Sequence, residues 1–256
     1  LVFTQNSYQR SVYLSSANRV SAELYRLSGK VNSYFYMQKN NNELLEQNAK
    51  LQNELYALKS YLNDLALDSI QTNSFVSDSM VTAQFRFIPS NVVNISFFGS
   101  NNYITLDKGL QDGVKADMGV VSQNGIVGVV LAVSDHFSVV IPIVNPKFRL
   151  SGKLKNSDNS GSIVWDGKDL HYAQLEQLPK HEVFREGDTV VTSFSRIFPK
   201  DMVIGYVVGQ GKTKDDNFNA FKIRLATNFY SLQHVFVIED VYYEEESILE
   251  QSVEQQ

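Results

Sequence analysis

Two hydrophobic patterns divide the chain. Between residues 11 and 68 apolar residues recur at helical spacing, without proline and with a single glycine. From about residue 80 to residue 241, short runs alternate apolar and polar residues between turns. A period of three to four residues is typical of a helix, and a period of two is typical of a half-buried strand. The sequence therefore predicts a long N-terminal helix followed by a mostly β region.

The second half of the predicted helix carries a heptad repeat. Nine residues occupy its two core positions: Met37, Leu44, Leu51, Leu58 and Leu65 at one, and Asn41, Asn48, Leu55 and Leu62 at the other. A stripe confined to these two positions is typical of a coiled coil, and asparagine at a core position favours a parallel dimer. We therefore expect the nine residues to form a homodimer interface. The alternative is a helix that packs this stripe on its own globular domain, although such helices normally have a broader apolar face.

The β region predicts small antiparallel barrels. Alternation is clear in residues 81–87, 148–154 and 221–225, and further short candidates follow: Tyr103–Leu106, Val120–Ser122, Ile126–Val133, Ser138–Val144, Ile163–Trp165, Ala173–Leu178, Thr189–Thr192, Val203–Val208 and Val235–Ile238. Short strands with Gly, Asn and Asp turns, and no helical pattern between them, are typical of barrels or sandwiches. An α/β enzyme fold is disfavoured.

A weak internal repeat suggests two related β modules. Residues 112–130 and 186–208 both contain an acidic-glycine turn, a short valine-rich strand, a second turn and a strand with a central glycine. These central glycines are Gly128 and Gly205, and we expect each to lie where the barrel bends or a neighbouring backbone comes close.

Composition shifts set the expected domain boundaries. We predict a helix or coiled coil over residues 1–69, a polar hinge over 70–79, a first barrel over 80–145 and a second barrel over 146–241, with its last strands able to return to the first. An acidic, disordered tail follows over 242–256. From residue 239 onward there are seven acidic and no basic residues, so of the net charge of −5 the remainder carries about +2. A nearly neutral body disfavours nucleic-acid binding.

Candidate chemistry is sparse. The 256-residue chain has no cysteine, which excludes thiolate metal sites and thiol nucleophiles, and its four histidines are scattered. Ser193 and Ser195 follow a predicted strand, but Phe194 stands where a serine protease needs a glycine beside its oxyanion hole. We expect no cofactor, no metal site and no enzymatic activity.

The blocks of the first β module resemble the MreC family of bacterial rod shape-determining proteins. The matching stretches are residues 102–109, 112–114, 117–121 and 125–130, which resemble N-x-I-x-L-x-K-G, D-G-V, M-x-V and G-V-V-G-x-V. In the second module, residues 161–167, 187–193 and 198–205 resemble G-x-[LIV]-x-W-x-G, G-D-x-V-V-T-S-G and F-P-x-G-[IV]-x-[IV]-G. Two residues depart from the family pattern, Phe194 and Asp201, and the Trp165-Asp166-Gly167 block is similar to members from Bacteroidota.

The resemblance implies a fold and a function. It implies a coiled coil followed by two six-stranded barrels of the chymotrypsin type without a working triad. It also implies a scaffold of the cell-wall elongation machinery that forms homodimers and is able to assemble into filaments. This scaffold would couple MreB and MreD to a penicillin-binding protein and a SEDS glycosyltransferase. The expected location is the inner membrane, with a single N-terminal anchor and this region in the periplasm. The chain opens on Leu1-Val2-Phe3, as expected if the anchor precedes it.

Three aromatic residues are candidate partner contacts. Phe97, Phe98 and Tyr103 lie among asparagines and serines, although a place in the core is the alternative for each. Two other function classes stay open from sequence: a secreted β-barrel serine hydrolase with a helical pro-region, which requires a Ser–His contact, and a coiled-coil adhesin or secretion adaptor, which predicts trimers or hexamers.

Overall fold

The computed structural model describes residues 37, 39–58, 84–97, 101–193, 195–213 and 217–243. The chain divides into two compact units, Leu1–Asn48 and Ala49–Gln256. Residues 39–48 of the first unit and residues 49–58 of the second are α-helical. The remainder of the predicted coiled-coil range, including Leu62 and Leu65, lies outside the described residues, as does the predicted hinge.

The second unit contains two closed β-barrels of six strands each. Its strands are β1 (Phe85–Ser96), β2 (Tyr103–Leu106), β3 (Gly119–Val121), β4 (Ile126–Val133), β5 (Ser138–Pro142), β6 (Leu150–Leu154), β7 (Ser160–Val164), β8 (Tyr172–Pro179), β9 (Thr189–Thr192), β10 (Val203–Gln210), β11 (Phe218–Leu225) and β12 (His234–Asp240). A 3₁₀ turn, Leu110–Asp112, lies between β2 and β3. The prediction of a mostly β chain with two small antiparallel barrels is confirmed.

The last strand of the chain closes the first barrel. Barrel one has the closed order β1-β12-β3-β4-β5-β2, and barrel two has the order β10-β11-β8-β7-β6-β9. The β1–β12 ladder runs from Phe85 opposite Asp240 to Asn91 opposite His234, and β12 also pairs with β3. Barrel one therefore combines strands from both ends of the second unit, whereas barrel two is formed by one continuous segment.

The two barrels nevertheless share one topology. When β12 is counted as the first strand of barrel one and β6 as the first strand of barrel two, the strand neighbours are identical. In each, the first strand pairs with the second and fourth, the third with the sixth, and the fifth with the fourth and sixth. The repeated sequence segments occupy equivalent places, since β3–β4 and β9–β10 are the fourth and fifth strands of their barrels.

Gly128 and Gly205 have equivalent roles in these barrels. A Cβ atom at Gly128 would collide with the carbonyl oxygen of Ile141 on β5, and a Cβ at Gly205 would collide with that of Arg224 on β11. Both glycines therefore permit a close backbone approach that no larger residue allows. The expectation that a neighbouring backbone comes close at each of them is confirmed.

The family-like motifs of the first module build the end of barrel one. Lys108 Nζ lies 2.8 Å from Asp112 Oδ1, the amide of Gly109 donates to Asp112 Oδ2, and Val114 is fully buried. Hydrogen bonding from Lys108 holds the pKa of Asp112 below its usual value. At the start of the same motif, buried Asn102 donates to the carbonyl of Val144 at 2.5 Å, while buried Asn145 donates to the carbonyl of Asn102 at 2.9 Å. These motif residues are thus accounted for by folding.

Thr227 ties the two barrels together. It lies in the segment between β11 and β12, and its Oγ1 donates to the carbonyl of Ile126 on β4 at 2.9 Å. The hydroxyl of Ser122, in the β3–β4 turn, lies 2.9 Å from the same atom. The side chain is buried, so both hydrogen bonds are shielded from water.

One departure from the family pattern has a local structural consequence. Asp201 stands where glycine is frequent, and it adopts the left-handed backbone conformation, with φ of 63°. Aspartate is one of the few residues that tolerate this region. Phe194, the other departure, lies outside the described residues.

Candidate interaction surfaces

The helix carries an exposed row of apolar side chains. Five of the residues predicted to dimerise expose about half or more of their surface: Met37 (69%), Leu44 (56%), Leu51 (60%), Leu55 (46%) and Leu58 (59%). Exposed apolar rows of this kind mark interaction sites, because leucine gains free energy when it is removed from water. We call Leu51, Leu55 and Leu58, which lie in the second unit, the leucine stripe.

The two core asparagines of the heptad differ in exposure. Asn41 is exposed and Asn48 is half-buried. Each unit has one exposed lysine–glutamate pair on its helical segment, with Lys39 Nζ 3.9 Å from Glu43 Oε1 in the first and Lys50 Nζ 4.0 Å from Glu54 Oε1 in the second. Pairs spaced four residues apart on an exposed helix face stabilise it only slightly.

A different face of the helix contacts barrel one. Asn53 Oδ1 accepts a hydrogen bond from the amide of Phe87 on β1, at 2.8 Å. The ring of Tyr56 lies 5.2 Å from the ring of Phe87 and 6.5 Å from that of Phe85, and burial raises the pKa of Tyr56. The heptad pattern did not predict these contacts. The available signal was a second, sparser row formed by Ala49, Asn53 and Tyr56, which are spaced by four and three residues.

Two of the three predicted aromatic contacts, Phe97 and Tyr103, lie on barrel one. Phe97 is half-buried, with its ring 6.1 Å from that of Phe229 in an edge-to-face arrangement. Tyr103 is half-buried on β2, opposite Ser96 of β1. Phe98 lies outside the described residues.

The serines considered for catalysis are bonded to other groups. The Ser193 hydroxyl lies 2.5 Å from that of Ser160, and it is buried. Ser195 Oγ accepts hydrogen bonds from the amides of Ile197 and Phe198, both at 3.1 Å. Each hydroxyl therefore has a structural partner in its own loop or barrel. A nucleophilic serine would instead need a histidine at this distance.

Two of the histidines, His171 and His234, have local partners. The backbone amide of His171 donates to Asp169 Oδ1 at 2.9 Å, and His171 Nδ1 lies 2.9 Å from the same oxygen. These two hydrogen bonds lower the pKa of Asp169. His234 Nδ1 lies 2.8 Å from Asn91 Oδ1 across the β1–β12 ladder. Within the described ranges, no cluster of three or more His, Asp or Glu side chains could hold a metal ion.

A cleft of about 410 Å³ lies between the barrels. Its walls include Lys115 and Asp117 from barrel one, Arg196 and Ile197 from barrel two, and Tyr243 after β12. On the same wall Arg86 Nε lies 2.8 Å from Glu239 Oε2. Positive and negative groups are equally represented, so the cleft does not favour a ligand of one charge.

The family model for the rod shape-determining protein MreC, barrel core, matches residues 92–239, more than half of the chain. The chain belongs to the MreC family. The matched region begins within β1 and ends within β12, so it covers both barrels.

Individual MreC proteins are similar over most of the chain. The cell shape-determining protein MreC of Listeria monocytogenes is 28% identical over 201 residues, which cover 77% of this chain and 65% of the Listeria protein. The solved MreC structure from Listeria has a TM-score of 0.60 at 28% identity, over 78% of this chain and 93% of that one.

Two more distant MreC structures share the fold. MreC from Pseudomonas aeruginosa gives a TM-score of 0.54 at 18% identity, over 59% of this chain and 98% of that one. The solved complex between penicillin-binding protein PBP2 and MreC from Helicobacter pylori gives 0.50 at 16% identity, over 61% and 99%. Among the helices of the described residues, none is long and apolar enough to cross a membrane.

Proposed function

We propose that this MreC family member is a non-enzymatic scaffold of the cell-wall elongation machinery that maintains rod shape and dimerises through its helix. The observation that carries the proposal is the exposed leucine stripe, which matches the heptad positions predicted from the sequence. In a coiled coil each leucine would insert between four residues of the partner helix. Each Å² of apolar surface that the two helices remove from water then stabilises the dimer by about 25 cal/mol.

The proposed division of the chain follows from this role. Residues 1–69 form the coiled coil, residues 70–79 a hinge, and the two barrels the partner-binding body, while residues 242–256 form an acidic tail. An anchor in the inner membrane precedes the coiled coil and holds the barrels in the periplasm. We further propose that these dimers assemble into filaments.

The proposed partners come from the family. A penicillin-binding protein of the elongation machinery is supported by the Helicobacter complex, which joins PBP2 to an MreC protein. MreB, MreD and a SEDS glycosyltransferase are proposed from the family resemblance alone. Phe97, Phe98 and Tyr103 are the proposed contact residues on barrel one.

Non-enzymatic function is favoured over the serine-hydrolase alternative. Ser193 and Ser195 are each engaged with a group other than histidine, and Ser193 is buried away from substrate. A hydrolase would require both an accessible serine and a base that removes its proton. A scaffold requires only folded barrels with accessible surfaces.

Sedimentation equilibrium tests the oligomeric state. We expect the intact chain to sediment as a dimer and a version that begins at Ser77 to sediment as a monomer. Trimers or hexamers would favour the adhesin or adaptor alternative, and a monomeric intact chain would contradict dimerisation.

Partner coupling has its own test, in which the purified periplasmic part of an elongation-type penicillin-binding protein is titrated with the intact chain. Absence of binding at about 100 μM would contradict that part of the proposal.

A further inference from the structure

Half of strand β1 has an edge that no described strand covers. β12 pairs with β1 from Phe85 to Asn91, but on the opposite side β2 pairs only with Val92–Ser96. An uncovered edge presents free N–H and C=O groups, which invite pairing with another chain. Barrel one therefore needs another element to satisfy this edge.

Two amides on this edge donate to side-chain acceptors from outside the strand. The amide of Phe87 donates to Asn53 Oδ1 at 2.8 Å, and the amide of Asn91 donates to Asp107 Oδ1 at 2.7 Å. Between them on the same side of the strand lies Pro89, which has no N–H to satisfy. The helix thus supplies one of these two caps through Asn53, which lies 34 residues from Phe87 in sequence.

Tyr56 strengthens the attachment one turn further along the helix. Residues three apart lie on one helix face, so Asn53 and Tyr56 reach the same strand. The Tyr56 ring packs on Phe87 with an interplanar angle of 30°, and it meets Phe85 at 71°. Such aromatic pairs contribute beyond the apolar area they bury. We call these four residues, Asn53, Tyr56, Phe85 and Phe87, the helix clasp.

The helix clasp and the leucine stripe lie on opposite faces of one helix. At 3.6 residues per turn, Leu51, Leu55 and Leu58 cluster on one side, whereas Asn53 and Tyr56 point to the other. The exposure agrees, since the three leucines are 46–60% exposed while Ala49, on the clasp side, is 5% exposed. One helix can therefore hold a second helix and barrel one at the same time.

We propose that Asn53 and Tyr56 are positioning residues that lock barrel one onto the helix, so that the dimer presents its two pairs of barrels in one fixed orientation. The inference rests on the proposed dimer for its consequence, although the clasp itself lies within a single chain. A scaffold that couples several enzymes needs such a fixed orientation, because a freely rotating body would present its partners at no defined angle.

Distance measurements between spin labels test the clasp directly. The chain has no cysteine, so Glu54→Cys on the helix and Val93→Cys on barrel one can be labelled specifically, with labelled chain diluted into unlabelled chain. We expect a narrow distance distribution in this parent. Replacing Asn53 and Tyr56 together by alanine should widen it at least twofold. Asn53→Asp keeps an acceptor for the Phe87 amide and should stay narrow, as should Glu46→Ala on the exposed surface of the same helix.

A second label separates positioning from folding and from dimerisation. Val183→Cys on barrel two, which is 81% exposed, reports the distance between protomers, and it should also widen in the double alanine variant. The melting temperature of the barrels and the sedimented mass should change little. An unchanged width within the chain would overturn the clasp, and an unchanged width between protomers would overturn its orienting role. A monomeric parent would overturn the proposed dimer and the orienting role, while the distance within the chain would still decide the clasp.

Discussion

The two barrels have the same strand neighbours but different chain connections. Barrel two is formed by the consecutive strands β6 to β11. Barrel one is complete only with β12, the last strand of the chain, which has the position that β6 has in barrel two. Barrel two can therefore close as soon as its own segment exists. Barrel one depends on contacts between residues about 150 positions apart, as in the ladder from Phe85 to Asp240. Loop closure of this length opposes folding through chain entropy.

The difference explains how the body acts as one unit. Because the chain leaves barrel one after β5, forms barrel two and returns as β12, barrel two is connected to barrel one at both of its chain ends. The return segment carries Thr227, whose side chain bonds to barrel one at 2.9 Å. This chain thus forms one two-barrel unit from two copies of one small topology.

Removing β12 should have the largest effect. A chain that ends at Gln233 lacks the strand that pairs with both β1 and β3, so we expect barrel one to lose its protection from hydrogen exchange while barrel two keeps it. A chain that ends at Tyr243 retains β12 and serves as the control with full protection. Equal loss in both barrels would show that barrel two cannot stand without its neighbour.

The central glycines should give the next largest effect. Gly128→Ala and Gly205→Ala each place a methyl group against a backbone carbonyl, and we expect each to lower the free energy of unfolding by about 3 kcal/mol. Gly167→Ala is a matched control, because its Cβ would meet nothing within 4 Å and only its positive φ of 83° is costly, by about 1 kcal/mol. Chemical denaturation measures the three variants, and equal losses would contradict the steric account.

Thr227→Val should loosen the joint between the barrels. Valine keeps the shape of threonine but cannot donate to the Ile126 carbonyl, so we expect a loss of about 1–2 kcal/mol. The loss should fall on barrel one and separate its unfolding transition from that of barrel two. Thr105→Val, on half-buried β2 and away from the joint, is the control. A single unshifted transition in Thr227→Val would mean that the joint depends on other contacts.

The smallest effect should be a pH-dependent one confined to barrel one. Asp112 has a lowered pKa because Lys108 and the Gly109 amide favour its charged form. Its contribution is therefore present above the pKa of the unfolded chain and is lost as the pH falls through the lowered folded value. Asp112→Asn should destabilise the chain by about 1 kcal/mol or less at pH 7 and by less at pH 3. Thermal melts at both pH values check this, and an equal loss at the two would contradict it.

Sequence periodicity predicted most of the barrel architecture because half-buried strands alternate. Ile126–Val133 and Thr189–Thr192 were predicted with the bounds that β4 and β9 have. β1 was predicted too short, since Pro89, Ser90 and Asn91 interrupt the alternation where Asp107 caps the edge through its side chain. Periodicity does not reveal this cap, because Asp107 and Asn91 are 16 residues apart in sequence.

The interaction surfaces were predicted less completely. The heptad identified the exposed leucine row because the core leucines of a coiled coil are exposed when the helix is seen without its partner. It did not identify Asn53 and Tyr56. Their partners lie in β1: Phe87 is 34 residues from Asn53, and Tyr56 contacts Phe85 and Phe87. From sequence alone, polar and aromatic residues outside a heptad core are predicted to face solvent. Only the structure shows the strand that packs against them.

The central claim is that the leucine stripe joins two chains. Its most direct test is the sedimentation-equilibrium mass of Leu51→Glu beside Asn42→Glu, which adds the same charge at an exposed helix position outside the heptad core. The account predicts twice the 29.0 kDa chain mass for Asn42→Glu and for the parent, and the single mass for Leu51→Glu with barrel melting unchanged. A dimer that survives Leu51→Glu, or a parent that is already monomeric, would contradict it.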